Sequence, residues 1–144
     1  MTVKDYLNQI QSNKERIRQL NVIKDMIHIN YNGISAIDYS GDKVQSTPHD
    51  VMFEKGCDML ENIEKLNTEI NKLADSNVRI GIEIQQMTAN DIKYNTILFE
   101  HYFVGKSLTD IATDMFLDYK YVCQLHGQAL IQFDKQYSIT TNHE

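Results

Sequence analysis

The residue types that most often perform catalysis or bind metals are scattered along this chain of 144 residues. Its two cysteines, Cys57 and Cys123, form no CxxC pair, so the sequence offers neither a disulfide framework nor a cysteine-rich zinc site. The five histidines are too widely spaced to suggest a metal site, and there is no glycine-rich phosphate loop. No serine or cysteine nucleophile has a recognisable partner. We therefore expect neither an enzyme nor a bound cofactor or metal.

The composition is typical of a folded, all-helical protein. Apolar residues make up 42% of the chain and charged residues 24%, whereas one proline and six glycines are few for a protein built on tight β-turns. The net charge of −6 argues against a protein whose surface is covered in positive charge for nonspecific binding to nucleic acid. No apolar run approaches the ~18 residues of a membrane span, and the first residues lack the layout of a signal peptide. We expect a cytoplasmic protein without membrane contact.

The first segment predicts one long amphipathic helix. Thr2 and Asp5 form a possible capping box at its start, and Asn32-Gly33 is a favourable stop because both residues tolerate a left-handed backbone. The apolar residues recur in alternating steps of three and four, as in a heptad pattern. They are Val3, Tyr6, Ile10, Ile17, Leu20, Ile27 and Tyr31, with Asn13 and Lys24 at the skipped positions.

A second stripe predicts a helix from about residue 48 to 87. Thr47 is a suitable N-cap and Pro48 suits the first helical position. The stripe comprises Met52, Met59, Ile63, Leu66, Ile70, Leu73, Ile80, Ile84 and Met87, with Asn77 in the seam. The two stripes can pair antiparallel within one chain or against a second copy, and the loop at about 32–47 permits both. Asn13 and Asn77 either fix the pairing register or are tolerated polar residues.

The third segment predicts three shorter helices. The first ends at Gly105, the second opens with Ser107 and Asp110, and a tight turn at 116–118 precedes the third, which begins at Tyr119 with Asp118 as its cap. A short helix, a turn of three or four residues and a longer helix form a helix-turn-helix. We therefore predict an all-α chain in which a helical hairpin or coiled-coil stalk (1–87) precedes a helix-turn-helix domain (88–144).

The segment 91–133 resembles region four of bacterial sigma factors in its Asp-Ile-Ala and Val-x-x-Leu-x-x-x-Ala-Leu patterns, here at 110–112 and 122–130. The whole chain resembles phage late-gene transcriptional regulators of the ArpU or RinA type, through the long heptad helix, the stretch 41–46 and Leu125-His126-Gly127. This resemblance implies sequence-specific binding to double-stranded DNA and control of phage or prophage genes in a bacterial host.

The resemblance also implies which residues contact DNA. They are Tyr119, Lys120, Tyr121, Cys123, Gln124 and Gln128. The amide of Gln124 can bond adenine in a bidentate way, Lys120 can reach guanine or a phosphate, and the two tyrosines can donate hydroxyls to the backbone. Cys123 suits contact with a thymine methyl, although a half-buried packing role is the simpler expectation, and we expect His126 to be packed and hydrogen-bonded.

The charge of the third segment keeps a second function open. Residues 88–144 hold four basic and seven acidic side chains, a net of −3, whereas residues 1–31 carry a net of +2. Because phosphate neutralisation supplies most nonspecific affinity, this module alone should bind DNA weakly, and a homodimer or an interaction with host RNA polymerase would be needed. The alternative is an adaptor or inhibitor that uses the sigma-like module, or the stalk, to bind a host protein such as RNA polymerase. Separately, the face with Gln124, Gln128 and Gln132 can be a merely solvated helix surface. Tolerance of substitutions at Lys120 and Gln124 would favour the adaptor or inhibitor.

Overall fold

The computed structural model describes residues 1–38 and 48–141, with side chains for residues 1–30 and 56–141. All regular secondary structure in these ranges is helical, which confirms the predicted all-α class. Two long helices precede three shorter ones: α1 Val3–Asp38, α2 Pro48–Gln86, α3 Ile92–Leu98, α4 Leu108–Asp114 and α5 Tyr119–Tyr137. Within the described ranges, each helix is too short or too polar to cross a lipid bilayer.

The ends of α1 and α2 match the sequence expectations only in part. Thr2 and Asp5 form the predicted capping box, since each side chain accepts a hydrogen bond from the backbone N–H of the other. α2 begins at Pro48 as predicted. The predicted stop at Asn32-Gly33 is wrong, because α1 extends through Asp38. A glycine in a helix interior lowers helix stability by only about 1 kcal/mol relative to alanine, so a long helix can continue through it. Thr47 and the stretch 41–46 lie outside the described residues.

The chain contains two compact units, and the first comprises Met1–Lys14 and Ala74–Glu144. In this unit the start of α1 runs antiparallel to the end of α2, within a single chain. Tyr6 donates a hydrogen bond to Glu83 at 2.7 Å, and Asn13 donates to Asn77 at 2.9 Å. The unit's larger core contains Leu7, absent from the predicted stripe, together with apolar residues of α1, α2, α3 and α5. The other buried members are Val3, Ile10, Ile80, Ile84, Met87, Leu98, Tyr102, Ala129, Phe133 and Ile139.

The two seam asparagines bond to each other. Asn77 is only 6% exposed, and its Oδ1 accepts the bond from Asn13 while its Nδ2 donates to the Ile10 carbonyl at 3.2 Å. This arrangement agrees with a role in pairing register, because a one-turn slip of either helix would separate two buried polar groups. The division into a stalk (1–87) and a helix-turn-helix domain (88–144) stays a prediction.

The second unit, Glu15–Leu73, holds the remaining parts of α1 and α2. Leu20 is fully buried there, and the predicted stripe residues Ile17, Ile27 and Ile63 are half-buried. Arg16 and Glu69 form an exposed ion pair at 3.6 Å. The stripe positions Tyr31 and Met52 lie outside the residues whose side chains are described.

Candidate nucleic-acid interface

The supporting part of the helix-turn-helix is a small apolar cluster that joins α3, α4 and α5. Its buried members are Ile97, Ile111, Ala112, Val122 and Leu125, with Leu117 of the turn packed against them. Ala112 is small enough for α4 to approach α5 closely. Because Val122 and Leu125 face this cluster, the opposite side of the first turns of α5 faces solvent.

Local signals begin and end these helices largely as predicted. The Ser107 hydroxyl accepts from the Asp110 backbone N–H at 3.1 Å, and Gly105 ends the preceding segment with φ of 96°. Between α3 and Gly105 the chain forms a π-helical segment, Phe99–Val104, which the sequence did not predict. Asp118 occupies the predicted N-cap position of α5, although its side chain makes no capping hydrogen bond.

The six predicted DNA-contacting residues lie on α5 in the first unit. Tyr119, Lys120, Tyr121, Gln124 and Gln128 are exposed, and Cys123 is half-buried. We call these six residues the α5 face. Lys120, Gln124 and Gln128 follow each other at intervals of four and therefore form one row about 12 Å long. Gly127 borders this row, and a Cβ added there would meet no atom within 4 Å.

Two residues of α3 that sequence reasoning missed contact the α5 face. The Tyr94 hydroxyl donates to Gln128 Oε1 at 2.7 Å, and Lys93 Nζ lies 6.0 Å from the centre of the Tyr121 ring. The bond from Tyr94 occupies one lone pair of this oxygen, so Gln128 keeps both amide N–H donors and one acceptor lone pair. These contacts join residues more than 25 positions apart, and no local pattern in the sequence indicates such pairs.

Few cations of this module are available to an anionic ligand. Lys106 forms ion pairs with Glu100 at 3.1 Å and Asp114 at 3.0 Å, and this raises the pKa of the lysine. Lys93 lies 3.8 Å from Asp91. Lys120 forms no ion pair within the described ranges. It is therefore the cation that the α5 face presents to a phosphate or a base edge.

Two further side chains at the start of α5 modify the face. The pKa of Tyr119 is raised chiefly by a hydrogen bond with Cys123, one turn further along the helix. The carboxylate of Asp118 is exposed beside this turn. Its negative charge opposes the approach of phosphate, so the face combines one free cation with one adjacent anion.

His126 lies on the inner side of α5. It is 8% exposed, and its Nε2 is 2.9 Å from the Tyr102 hydroxyl, which confirms the expected packed and hydrogen-bonded histidine. The His101 ring is 5.3 Å away, centroid to centroid. Burial, then the neighbouring charges of His101 and Lys4, lowers the pKa of His126 to about 4. In the described part of the chain, no group of three or more His, Cys, Asp or Glu side chains lies close enough together to bind a metal ion.

A comparison with family models, curated proteins and solved structures finds no match for this chain. The resemblance to phage regulators and to sigma region four therefore stays a prediction from the residues themselves.

Proposed function

We propose that the protein binds double-stranded DNA sequence-specifically, with the α5 face in the major groove, as a transcriptional regulator of phage or prophage genes. The observation that carries this proposal is the two-sided character of α5 after the turn. Val122 and Leu125 anchor the helix on the inner cluster, and Lys120, Gln124 and Gln128 form an exposed polar row on the outer side. A helix that enters the major groove needs such a row of amide and amine groups, supported from behind.

The residues of the row have different roles in this proposal. Gln124 has both amide groups available, so it suits bidentate bonding to adenine. Gln128 has both amide N–H donors available, while the bond from Tyr94 holds its oxygen in place, and it therefore suits an acceptor such as N7 or O6 of a purine. Lys120 supplies a charge-assisted contact to phosphate or guanine.

The test begins with selection of binding sites from a pool of randomised duplexes by the full-length chain. Binding of the selected duplex and of a scrambled duplex is then measured by fluorescence anisotropy at two salt concentrations. We expect Gln124→Ala to weaken the selected duplex by about 5- to 150-fold and the scrambled duplex far less, the range of one lost bidentate base contact. Lys120→Ala should weaken binding and reduce its salt dependence.

Two matched variants sharpen this test. Lys135→Ala removes the same charge from the same helix at a position about 22 Å further along, so it should leave binding nearly unchanged. Asp118→Asn removes the anion next to the face but keeps a favourable N-cap residue, so it should strengthen binding. The proposal is overturned if no sequence is enriched, or if Lys120→Ala and Lys135→Ala bind equally well.

A second candidate function, an adaptor that binds a host protein such as RNA polymerase, is favoured by an apolar groove in the first unit. The groove has a volume of about 360 Å³ and is lined mainly by Val78, Ile82, Phe99 and Phe103. The two phenylalanine rings stack at 4.8 Å, and the exposed aliphatic side chains border them. Apolar grooves of this kind are typical of binding sites.

The two functions predict opposite sensitivities. The adaptor requires that Ile82→Glu abolish capture of RNA polymerase from a host extract while Gln124→Ala has no effect. DNA binding requires that, in the anisotropy assay, Gln124→Ala weaken binding of the selected duplex while Ile82→Glu has no effect. Val104→Glu, at a similarly exposed apolar residue that does not line the groove, is the control for an added charge.

A further inference from the structure

One residue of the α5 face is held by a side chain that lies outside the face. The hydroxyl of Tyr94, on α3, donates a hydrogen bond of 2.7 Å to Oε1 of the exposed Gln128. Gln124, one turn earlier on α5, makes no side-chain hydrogen bond within the residues whose side chains are described. The exposed row therefore contains one glutamine that is free to rotate and one whose amide has a fixed partner.

The ring of Tyr94 is anchored, so its hydroxyl has a defined position. The ring is half-buried and packs against both the larger core of the first unit and the small apolar cluster behind α5. The Tyr94 backbone N–H donates to the Asp91 carbonyl at 3.1 Å, and the Asn95 amide donates to the Ile84 carbonyl of α2 at 2.8 Å. A donor that is supported from behind in this way pre-organises the group to which it bonds.

The bond from Tyr94 sets the direction in which the Gln128 amide points. A phenolic hydroxyl is weakly acidic and therefore donates a hydrogen bond more readily than it accepts one, which favours the amide oxygen, rather than the nitrogen, on the side of α3. Because oxygen and nitrogen lie on the two arms of a planar amide, Nε2 with its two N–H donors then points away from α3. The oxygen keeps a second lone pair, but turning it outward would break the bond from Tyr94.

This orientation favours guanine over adenine at the base that Gln128 contacts. The major-groove edge of guanine presents two acceptors, N7 and O6, and both suit the N–H donors of Nε2. Adenine presents the N7 acceptor beside the N6 donor, so a glutamine bonds it with its oxygen and nitrogen facing the base together. The bond from Tyr94 opposes that arrangement in Gln128, whereas Gln124 remains free to adopt it.

We propose that Tyr94 determines DNA sequence specificity by positioning Gln128 to bind guanine in preference to adenine. This role rests on the proposed function, since it concerns base contacts of the same α5 face. Tyr94 touches no base itself and acts only through Gln128, so it is a positioning residue. The base preference of α5 would then depend on a side chain of the neighbouring helix α3.

The test repeats the selection from randomised duplexes with full-length wild type, Gln128→Ala and Tyr94→Phe. The site position at which Gln128→Ala removes the base preference is the one that Gln128 contacts. Two duplexes that carry guanine or adenine at this position are then compared by fluorescence anisotropy. Wild type should prefer guanine, and Tyr94→Phe should lower the ratio of guanine to adenine affinities by about 3- to 10-fold, the value of one net hydrogen bond. The preference at the position that depends on Gln124 should not change.

Three controls separate positioning from a general effect on the fold. Tyr94→Phe added to Gln128→Ala should leave the ratio of affinities unchanged, because no amide remains to be held. Tyr137→Phe removes a tyrosine hydroxyl of α5 that donates to the Glu83 carbonyl at 2.8 Å, and it should keep the guanine preference. In the protein without DNA, NMR relaxation of the Gln128 side-chain nitrogen should show greater mobility in Tyr94→Phe than in wild type, at unchanged helix content by circular dichroism.

The possible results distinguish this role of Tyr94 from the proposed function. If wild type enriches no sequence, the proposed function fails and the role of Tyr94 fails with it. If a site is enriched but Tyr94→Phe keeps the wild-type ratio of affinities, only the role of Tyr94 is overturned. It is also overturned if Gln128→Ala changes no base preference, if wild type prefers adenine at the Gln128 position, or if Tyr137→Phe lowers the ratio equally.

Discussion

Acid should destabilise this protein through one buried histidine. In the folded chain the pKa of His126 is about 4, against 6.5 for the unperturbed side chain, because the ring is buried and lies near His101 and Lys4. Between these two values the unfolded chain binds a proton at this position and the folded chain does not. Stability therefore rises with pH across this window and falls when the pH is lowered from 6.5 towards 4.

The size of the effect follows from the two pKa values. Each tenfold change in a proton-binding constant is worth about 1.4 kcal/mol, so the free energy of unfolding should fall by up to about 3 kcal/mol across the window. For a domain of ordinary stability this is a large fraction of the total. In the protonated ring Nε2 must donate, so the Tyr102 hydroxyl, 2.9 Å away, would have to accept this hydrogen bond.

The assay is urea unfolding at pH 4.5, 5.5 and 6.5 (values chosen to lie roughly between the two pKa values), for wild type and His126→Gln. Glutamine keeps a hydrogen-bonding group for Tyr102 but does not titrate, so the difference between the two proteins isolates His126 from the carboxylates. We expect the wild-type stability to fall relative to the variant as the pH drops. Parallel pH profiles would refute the argument, as would an NMR titration that places the pKa of His126 near 6.5.

Four further substitutions test side-chain packing and backbone strain in the first unit. Replacing either Asn13 or Asn77 by alanine should cost about 1 to 2 kcal/mol, and a double-mutant cycle in urea should show coupling of at least about 0.5 kcal/mol, whereas strict additivity would contradict the bond between them. Gly81→Ala should cost about 1 to 3 kcal/mol in the same assay, because the added Cβ would lie 2.7 Å from the Phe103 ring, and an unchanged midpoint would show that the ring moves freely. Phe116→Gly should raise the thermal midpoint, since this 94% exposed side chain has a φ of 57°, a conformation that costs a non-glycine residue about 1 to 2 kcal/mol; a lower midpoint would contradict that strain.

The sequence predicts those features that depend on short spacings. The capping pairs Thr2/Asp5 and Ser107/Asp110 and the left-handed Gly105 set helix ends through interactions within a few residues, and all three are confirmed. The inner face of α5 follows from the helical period in the same way.

Features that depend on tertiary packing were missed. Leu7 is fully buried because the start of α1 joins a core shared by four helices, which a single stripe cannot describe. The bond from Tyr94 to Gln128 requires α3 and α5 to meet at a particular angle. The carbonyls of Tyr102 and Phe103 accept bonds from Gln11 on α1, and no local signal marks such distant partners.

The composition of the first unit also bears on how the chain folds as it is synthesised. Leu7 belongs to the first 14 residues of this unit, and its core partners Ala129 and Phe133 belong to the last helix. A ribosome must therefore synthesise α5 before this core closes, and the early part of α1 presents apolar surface to solvent in the meantime. Contacts of such high sequence separation slow folding, so the core of this unit should form only after α5 has been synthesised.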